Sequence, residues 1–166
     1  MEHLWTPWRY EYVSGAGKAP GCMLCSVLAA GPEADEANLI LHRGALNFVI
    51  INKYPYTNGH LLIAPYEHVA DLRSSSEPQL DEMVRLARAC ERILGDAYGP
   101  DGFNLGMNIG KAAGAGVADH QHLHIVPRWL GDASFMSTTA GTRVVPEAPQ
   151  ETFSRLRPRF AELMEG

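Results

Sequence analysis

His120-Gln121-His122-Leu123-His124-Ile125-Val126 is the stretch on which the reading of this chain turns. Side chains alternate across a β-strand, so a period of two sets all three imidazoles on one face, about 6.6 Å apart along the chain. One histidine in an apolar strand is ordinary packing; three at period two ask for a chemical role. Two chemistries suit them. An i, i+2 pair of neutral imidazoles can chelate a catalytic metal. Alternatively one ring is a nucleophile and another stabilises the charge that develops, a task suited to a side chain with an ordinary pKa of about 6.5. Just upstream, Gly110, Gly114 and Gly116 flank Lys111, Ala112, Ala113 and Ala115. Backbone N–H groups in such a loop can approach an anion without side chains in the way. A glycine-rich loop feeding a histidine strand reads as an anion site with a nucleophile beside it.

Working outward, Leu39–His42 and Ala45–Asn52 read as strands separated by Gly44, and the nearly continuous apolar run Phe48-Val49-Ile50-Ile51 as a central strand. Pro55 and Asn58-Gly59 mark a turn, and His60–Ala64 follows as the next strand of an antiparallel hairpin. Ser76-Glu77-Pro78-Gln79 has capping-box spacing. Leu80, Met83, Val84, Ala87, Cys90, Ile93 and Leu94 then share a helical face, predicting a helix to about Gly95. Gly102–Asn108 and His120–Val126 are further strands, the last ended by Pro127, with helices expected near 23–30 and from Pro149 to Met164. Val144-Val145-Pro146-Glu147 is a stop before the last helix. The pattern is an α+β fold on a mostly antiparallel, five-stranded sheet with one long helix and a C-terminal helix.

Composition sets the outer bounds. The 166 residues suit one domain, 46% of them hydrophobic. Fourteen basic against nineteen acidic residues give a net charge of −5, which argues against broad nucleic-acid binding. No apolar run reaches the roughly 18 residues of a membrane span, and the aromatic, charged opening lacks the pattern of a secretory signal. Three cysteines suit a reducing compartment better than a disulfide framework, so the expected setting is cytoplasmic.

The run of three alternating histidines resembles the signature of the histidine-triad (HIT) superfamily of nucleotide hydrolases and transferases. The likeness extends through Asn52, Pro55, Gly59-His60, Pro65, His68, Asn108, Gly110 and Pro127-Arg128, in the family's order. Leu4-Trp5-Thr6-Pro7-Trp8-Arg9 and the segment Trp129, Gly131-Asp132, Phe135-Met136 are similar to the diadenosine tetraphosphate hydrolase and phosphorylase subgroup. The resemblance implies one HIT domain over 1–166: an N-terminal arm (1–37), a catalytic core (38–128) and a C-terminal extension (129–166). It implies that His122 attacks the α-phosphorus of a purine nucleotide or dinucleoside polyphosphate, that His124 binds the α-phosphate, and that His60 completes the cluster. Asn52 and Asn108 match ribose or phosphate contacts, and Gly114-Ala115-Gly116-Val117 matches the phosphate-binding stretch. Gly116 and Val117 stand where many members carry Gln and then Ser or Thr, and Gln121 stands where the signature has an apolar residue. A homodimer is the family's usual assembly. A non-catalytic nucleotide-binding scaffold, or a metalloenzyme using the histidine strand as ligands, are the alternatives.

Cys22 and Cys25 form a C-x-x-C pair, a signal for metal or redox chemistry that by itself is two ligands short of a closed zinc site. In some bacterial HIT proteins and the related uridylyltransferases, two such cysteines bind zinc with the first triad histidine and a histidine after a strand-ending proline. His120 and His68 match those two positions. The resemblance therefore implies structural zinc on Cys22, Cys25, His68 and His120.

Overall fold

The computed structural model describes residues 21–132 and 147–165. The aromatic stretch Leu4–Arg9, His3, Phe135-Met136 and the Val144–Pro146 part of the stop lie outside them. Helix α1 (Met23–Ala29) leads through a short 3-10 turn and α2 (Asp35–Asn38) into β1 (Ile40–Arg43), β2 (Asn47–Ile51) and β3 (Leu61–Pro65). The long α3 (Glu77–Tyr98) then crosses to β4 (Gly102–Met107) and β5 (Leu123–Arg128), and α4 (Pro149–Glu165) follows. The sheet has five strands in the order β1-β2-β3-β5-β4, every neighbouring pair antiparallel. The expected α+β architecture is present. Among the described residues no helix is long and apolar enough to cross a membrane.

The unbroken apolar run in β2 has the cause its composition suggests. Val49 and Ile51 face one way, joining Leu61, Ile63 and Ile125 beneath α3 and α4. Phe48 and Ile50 face the other way, joining Ile40, Leu62, Ala64 and Leu24 of α1. Both faces are covered, so the strand does not alternate with polar residues. Phe153, Leu156 and Phe160 seat α4 on the first cluster. Glu147 anchors its start by accepting from the Tyr98 and Thr152 hydroxyls and pairing with Arg155 at 2.8 Å.

Glu82 fastens α3 to the sheet. Its carboxylate accepts from the backbone N–H groups of Ala45, Leu46 and Asn47 and from the Asn47 side chain, at 2.7–2.8 Å. Burial alone would raise its pKa; the bonds from Asn47, Leu46 and Ala45 outweigh that and hold it below the ordinary carboxylate value. The same turn explains Gly44, where a Cβ would sit 2.9 Å from both the Asn47 carbonyl and the Glu82 carboxylate.

Four local expectations are corrected. Val84 is 68% exposed, and Leu86 takes its place on the buried face of α3. Ser76 occupies the N-cap without a side-chain bond, and the Gln79 N–H bonds the Ser76 backbone carbonyl instead. The helix runs on to Tyr98, where Gly99 adopts a left-handed conformation (φ 54) and bonds back to Gly95. Pro127 lies within β5 and does not end it. β3 starts at Leu61, opposite Ile125, so beyond that point β5 has a strand neighbour only on its β4 side. The Pro127 carbonyl accepts instead from the Thr57 hydroxyl, so the missing N–H faces the turn rather than a ladder.

Candidate active site and metal centre

The histidine stretch is not a single strand. β5 begins at Leu123, so only His124 lies within it, and His120 and His122 occupy the extended segment before it. The ladder with β3 ends at Ile63↔Leu123. The next position offering an N–H would be Pro65, which has none, and Gln121 N–H bonds the Val69 carbonyl instead at 2.7 Å. The three rings therefore divide between two tasks.

His122 and His124 line an open cleft of about 640 Å3, its mouth included, with Asn52, Asn108, Gly114, Gly116 and Val117. Ala115 is not among the lining residues, and His60 is fully buried behind His124. The register explains the placement. His124 pairs with Leu62 and shares its face, opposite α3, and Asn108 and His122 lie just past the last β4–β5 pair, Met107↔Leu123. Met23 and Leu24 of α1, with Leu62, Tyr54 and Tyr56, complete the lining and were not singled out from the sequence. Their signal was position: Met23 and Leu24 lie between the two cysteines, and the tyrosines flank Pro55.

Hydrogen bonding assigns the imidazole protons. Tyr56 N–H donates to His60 Nδ1 at 3.0 Å, so that nitrogen carries no proton and Nε2 does. His60 Nε2 lies 2.9 Å from His124 Nδ1 and donates to it. His124 therefore keeps its proton on Nε2. His122 Nδ1 lies 2.9 Å from the His120 carbonyl, an acceptor, which leaves the lone pair of His122 on Nε2. The cleft is thus offered one imidazole donor and one imidazole lone pair. Tyr56 stacks on His124 (12° between planes) and tilts against His60 at 4.7 Å, fixing both rings.

Burial lowers the pKa of all three rings. His60 is pushed down to about 3 by burial and then by the neighbouring His124 and His122. His124 falls to about 4 by burial and then by His122, and His122 is lowered by burial against the opposing bond to the His120 carbonyl. The cluster is neutral at pH 7. Below pH 6.5 the unfolded chain takes up protons that the folded His60 and His124 refuse, so the stability they contribute is full above pH 6.5 and is lost as pH falls toward 4 and then 3. The urea unfolding midpoint should accordingly fall between pH 6.5 and pH 5, above the carboxylate range, and H60Q should flatten that slope. A midpoint constant over this interval in the wild type would contradict the assignment.

The third ring belongs elsewhere. His120, fully buried, has Nε2 2.9 Å from the Pro65 carbonyl and Nδ1 3.3 Å from Cys22 Sγ and 3.5 Å from Cys25 Sγ. His68 Nδ1 lies 3.3 Å from Cys25 Sγ, and the four ligand atoms lie within 4.8 Å of one another. A tetrahedral zinc with Zn–S of about 2.3 Å and Zn–N of about 2.0 Å sets such atoms roughly 3.3–3.8 Å apart, so the donor set fits. The Pro65 carbonyl takes the His120 Nε2 proton and turns Nδ1 toward the sulfurs, an outer contact typical of metal-binding histidines. Burial and the adjacent Cys22 thiol push the Cys25 thiol up, a pairing that a cation would reverse. Cys90 is fully buried within the first core cluster, remote in kind from this chemistry.

Of the remaining residues, Arg128 forms the structural pair with Asp132 and donates to Asn104, while Lys53 and Lys111 are exposed. Gln121 is buried, its Nε2 donating to Ser75 Oγ and its Oε1 without a partner.

The model of the HIT domain matches residues 34–129. The AP-4-A phosphorylase of Mycobacterium tuberculosis is 32% identical over 97% of this chain and 85% of its own. A Zn-bound histidine triad family protein from Mycobacterium smegmatis superposes with a TM-score of 0.69 at 28% identity, covering 87% of this chain and 96% of that one. A hypothetical histidine triad nucleotide-binding protein from Sulfolobus tokodaii gives 0.67 at 27%, over 86% and 93%. With the family model spanning more than half of the chain and a full-length relative above 30% identity, this chain belongs to the HIT domain family.

Proposed function

We propose that this chain cleaves a purine nucleotide at its α-phosphate, with diadenosine tetraphosphate the favoured substrate, through a nucleotidyl intermediate on His122. The observation that carries the reading is His122 itself: it lines the open cleft while its Nδ1 proton is spent on the His120 carbonyl. Nε2 attacks the α-phosphorus, a P–N bond forms, and the anhydride P–O bond breaks to release the distal nucleotide. Positive charge then rests on the His122 ring, and the His120 carbonyl, already the partner of Nδ1–H, stabilises it. His124 donates Nε2–H to an α-phosphate oxygen, and His60 fixes the tautomer that makes this possible. Asn52 and Asn108 meet ribose or phosphate, and the loop that brings Gly114, Gly116 and Val117 to the cleft meets the phosphate chain. Water or inorganic phosphate then breaks the P–N bond. Splitting one displacement into two in-line steps leaves the protein chiefly to position and to stabilise charge.

The M. tuberculosis relative, by its name and its match along nearly the whole chain, supports the substrate class. Zinc would be held by Cys22, Cys25, His68 and His120 and would supply a structural cross-link, leaving the chemistry to His122 and His124. A homodimer is proposed with it; β4, an edge strand with Leu105 48% exposed, is the sheet edge such a pairing would use.

Incubation with diadenosine tetraphosphate, with and without inorganic phosphate, tests the proposal. ATP accompanied by AMP without phosphate marks hydrolysis; ATP accompanied by ADP only when phosphate is present marks phosphorolysis. Nucleotide binding with no product under either condition would make this a binding scaffold and defeat the proposal.

A further inference from the structure

We infer that the four-ligand cluster and the cleft form one thermodynamic unit: an ion on Cys22, Cys25, His68 and His120 fixes both walls of the cleft, so metal and nucleotide each raise the other's affinity. The inference rests on the proposed nucleotide reading.

Two connections carry it. Cys22 precedes α1 and Cys25 lies within it, and the residues between them, Met23 and Leu24, form part of the cleft wall. On the other side, His120 is the buried ligand, and its carbonyl holds the His122 ring at 2.9 Å. An ion bridging the two thiolates to His120 would therefore staple the α1 wall to the histidine wall across the cleft.

The two walls differ in what holds them without an ion. The histidine segment is tied by backbone bonding, Gln121 N–H to the Val69 carbonyl at 2.7 Å, which also joins it to the loop of His68. Helix α1 has seven residues, no side-chain N-cap bond and no charged residue in its first or last turn. A helix so short does not persist on local propensity. Leu24, Val27 and Leu28 seat its body on Ile40, Phe48 and Ile50. Within its first turn Leu24 is buried in that cluster, whereas Met23, between the two cysteines, is 40% exposed. Loss of the ion frees the Met23 side of that turn, and a nucleotide must then order that part of the wall it binds. His68 is exposed, so an ion can enter or leave through it without opening the core.

The test measures both directions of the coupling on the full chain. AMP affinity is determined by calorimetry for zinc-loaded and chelator-stripped protein, and zinc affinity by chelator competition with and without saturating AMP. Loaded protein should bind AMP about tenfold more tightly, and AMP should raise zinc affinity by the same factor, as reciprocity requires. Should stripped wild type lose its far-UV helical signal, H68A, which keeps three donors and lies outside the cleft lining, replaces it in the comparison. M23A should bind zinc alone as the wild type does but lose most of the AMP effect. Equal AMP affinity in folded loaded and metal-free forms, or an undiminished coupling factor in M23A, overturns this inference and leaves the nucleotide reading standing. No AMP binding by the loaded protein overturns both.

Discussion

H122A should lower turnover of diadenosine tetraphosphate by about 10^4-fold or more while leaving AMP affinity within about tenfold of wild type. Removing a covalent nucleophile eliminates the first displacement, and losses of this order accompany nucleophile deletion in enzymes whose remaining groups still position substrate and stabilise charge. The binding surface survives because His124, Asn52, Asn108 and the glycine loop line the cleft independently of the His122 ring. The alanine also leaves the His120 carbonyl without its ring partner, but that carbonyl belongs to a backbone held by the Gln121–Val69 bond and by the His120 ring on Pro65. Folding should therefore be retained, which a thermal melt checks. Steady-state product formation with and without phosphate is the measurement. Turnover within tenfold of wild type would remove His122 from the chemistry.

The second large effect concerns stability. An ion bound only by the folded state adds RT ln(1 + [L]/Kd), about 4 kcal/mol at a free concentration one thousand times Kd. For a domain of this length that corresponds to a rise of about 10 °C in midpoint. Zinc-loaded wild type should lose this increment on chelation, and the loss should scale with the free zinc present beforehand. C22S/C25S should melt near the chelated wild type and ignore both zinc and chelator. The sign follows from the donor chemistry: within a cluster whose four ligand atoms lie within 4.8 Å of one another, burial and the adjacent Cys22 push the Cys25 thiol up and burial lowers the His120 imidazole, so both are held without charge until a cation compensates. A wild-type midpoint unmoved by chelation would show that the cluster does not hold an ion under the conditions used.

Much of this was legible in the residues, for definable reasons. The apolar run Phe48–Ile51 and the Asn58-Gly59 turn carry their structure locally, so the hairpin of β2 and β3 could be read directly. The helix before Gly99 could be placed, but its buried face could not be traced fully: Leu80 to Leu94 offers overlapping apolar positions, and only packing against the sheet selects Leu86 over Val84. Histidine periodicity correctly set apart a chemical segment yet overextended the strand. Where a ladder stops depends on its neighbour, here on Pro65 lacking an N–H, and that lies 55 residues upstream of His120. The proton assignment among His60, His122 and His124 was likewise out of reach, because it is set by the Tyr56 amide and the His120 carbonyl, backbone groups that carry no sequence signal.

The most direct measurement is the covalent adduct itself. Wild-type protein mixed with diadenosine tetraphosphate, quenched within the first turnover in alkali and digested, should yield the peptide containing His122 heavier by one adenylyl group. Fragmentation should place that mass on His122, and H122A treated identically should carry none. Release of nucleotide products with no adduct at any quench time, or an adenylyl group localised on His124 or His60, would contradict the account.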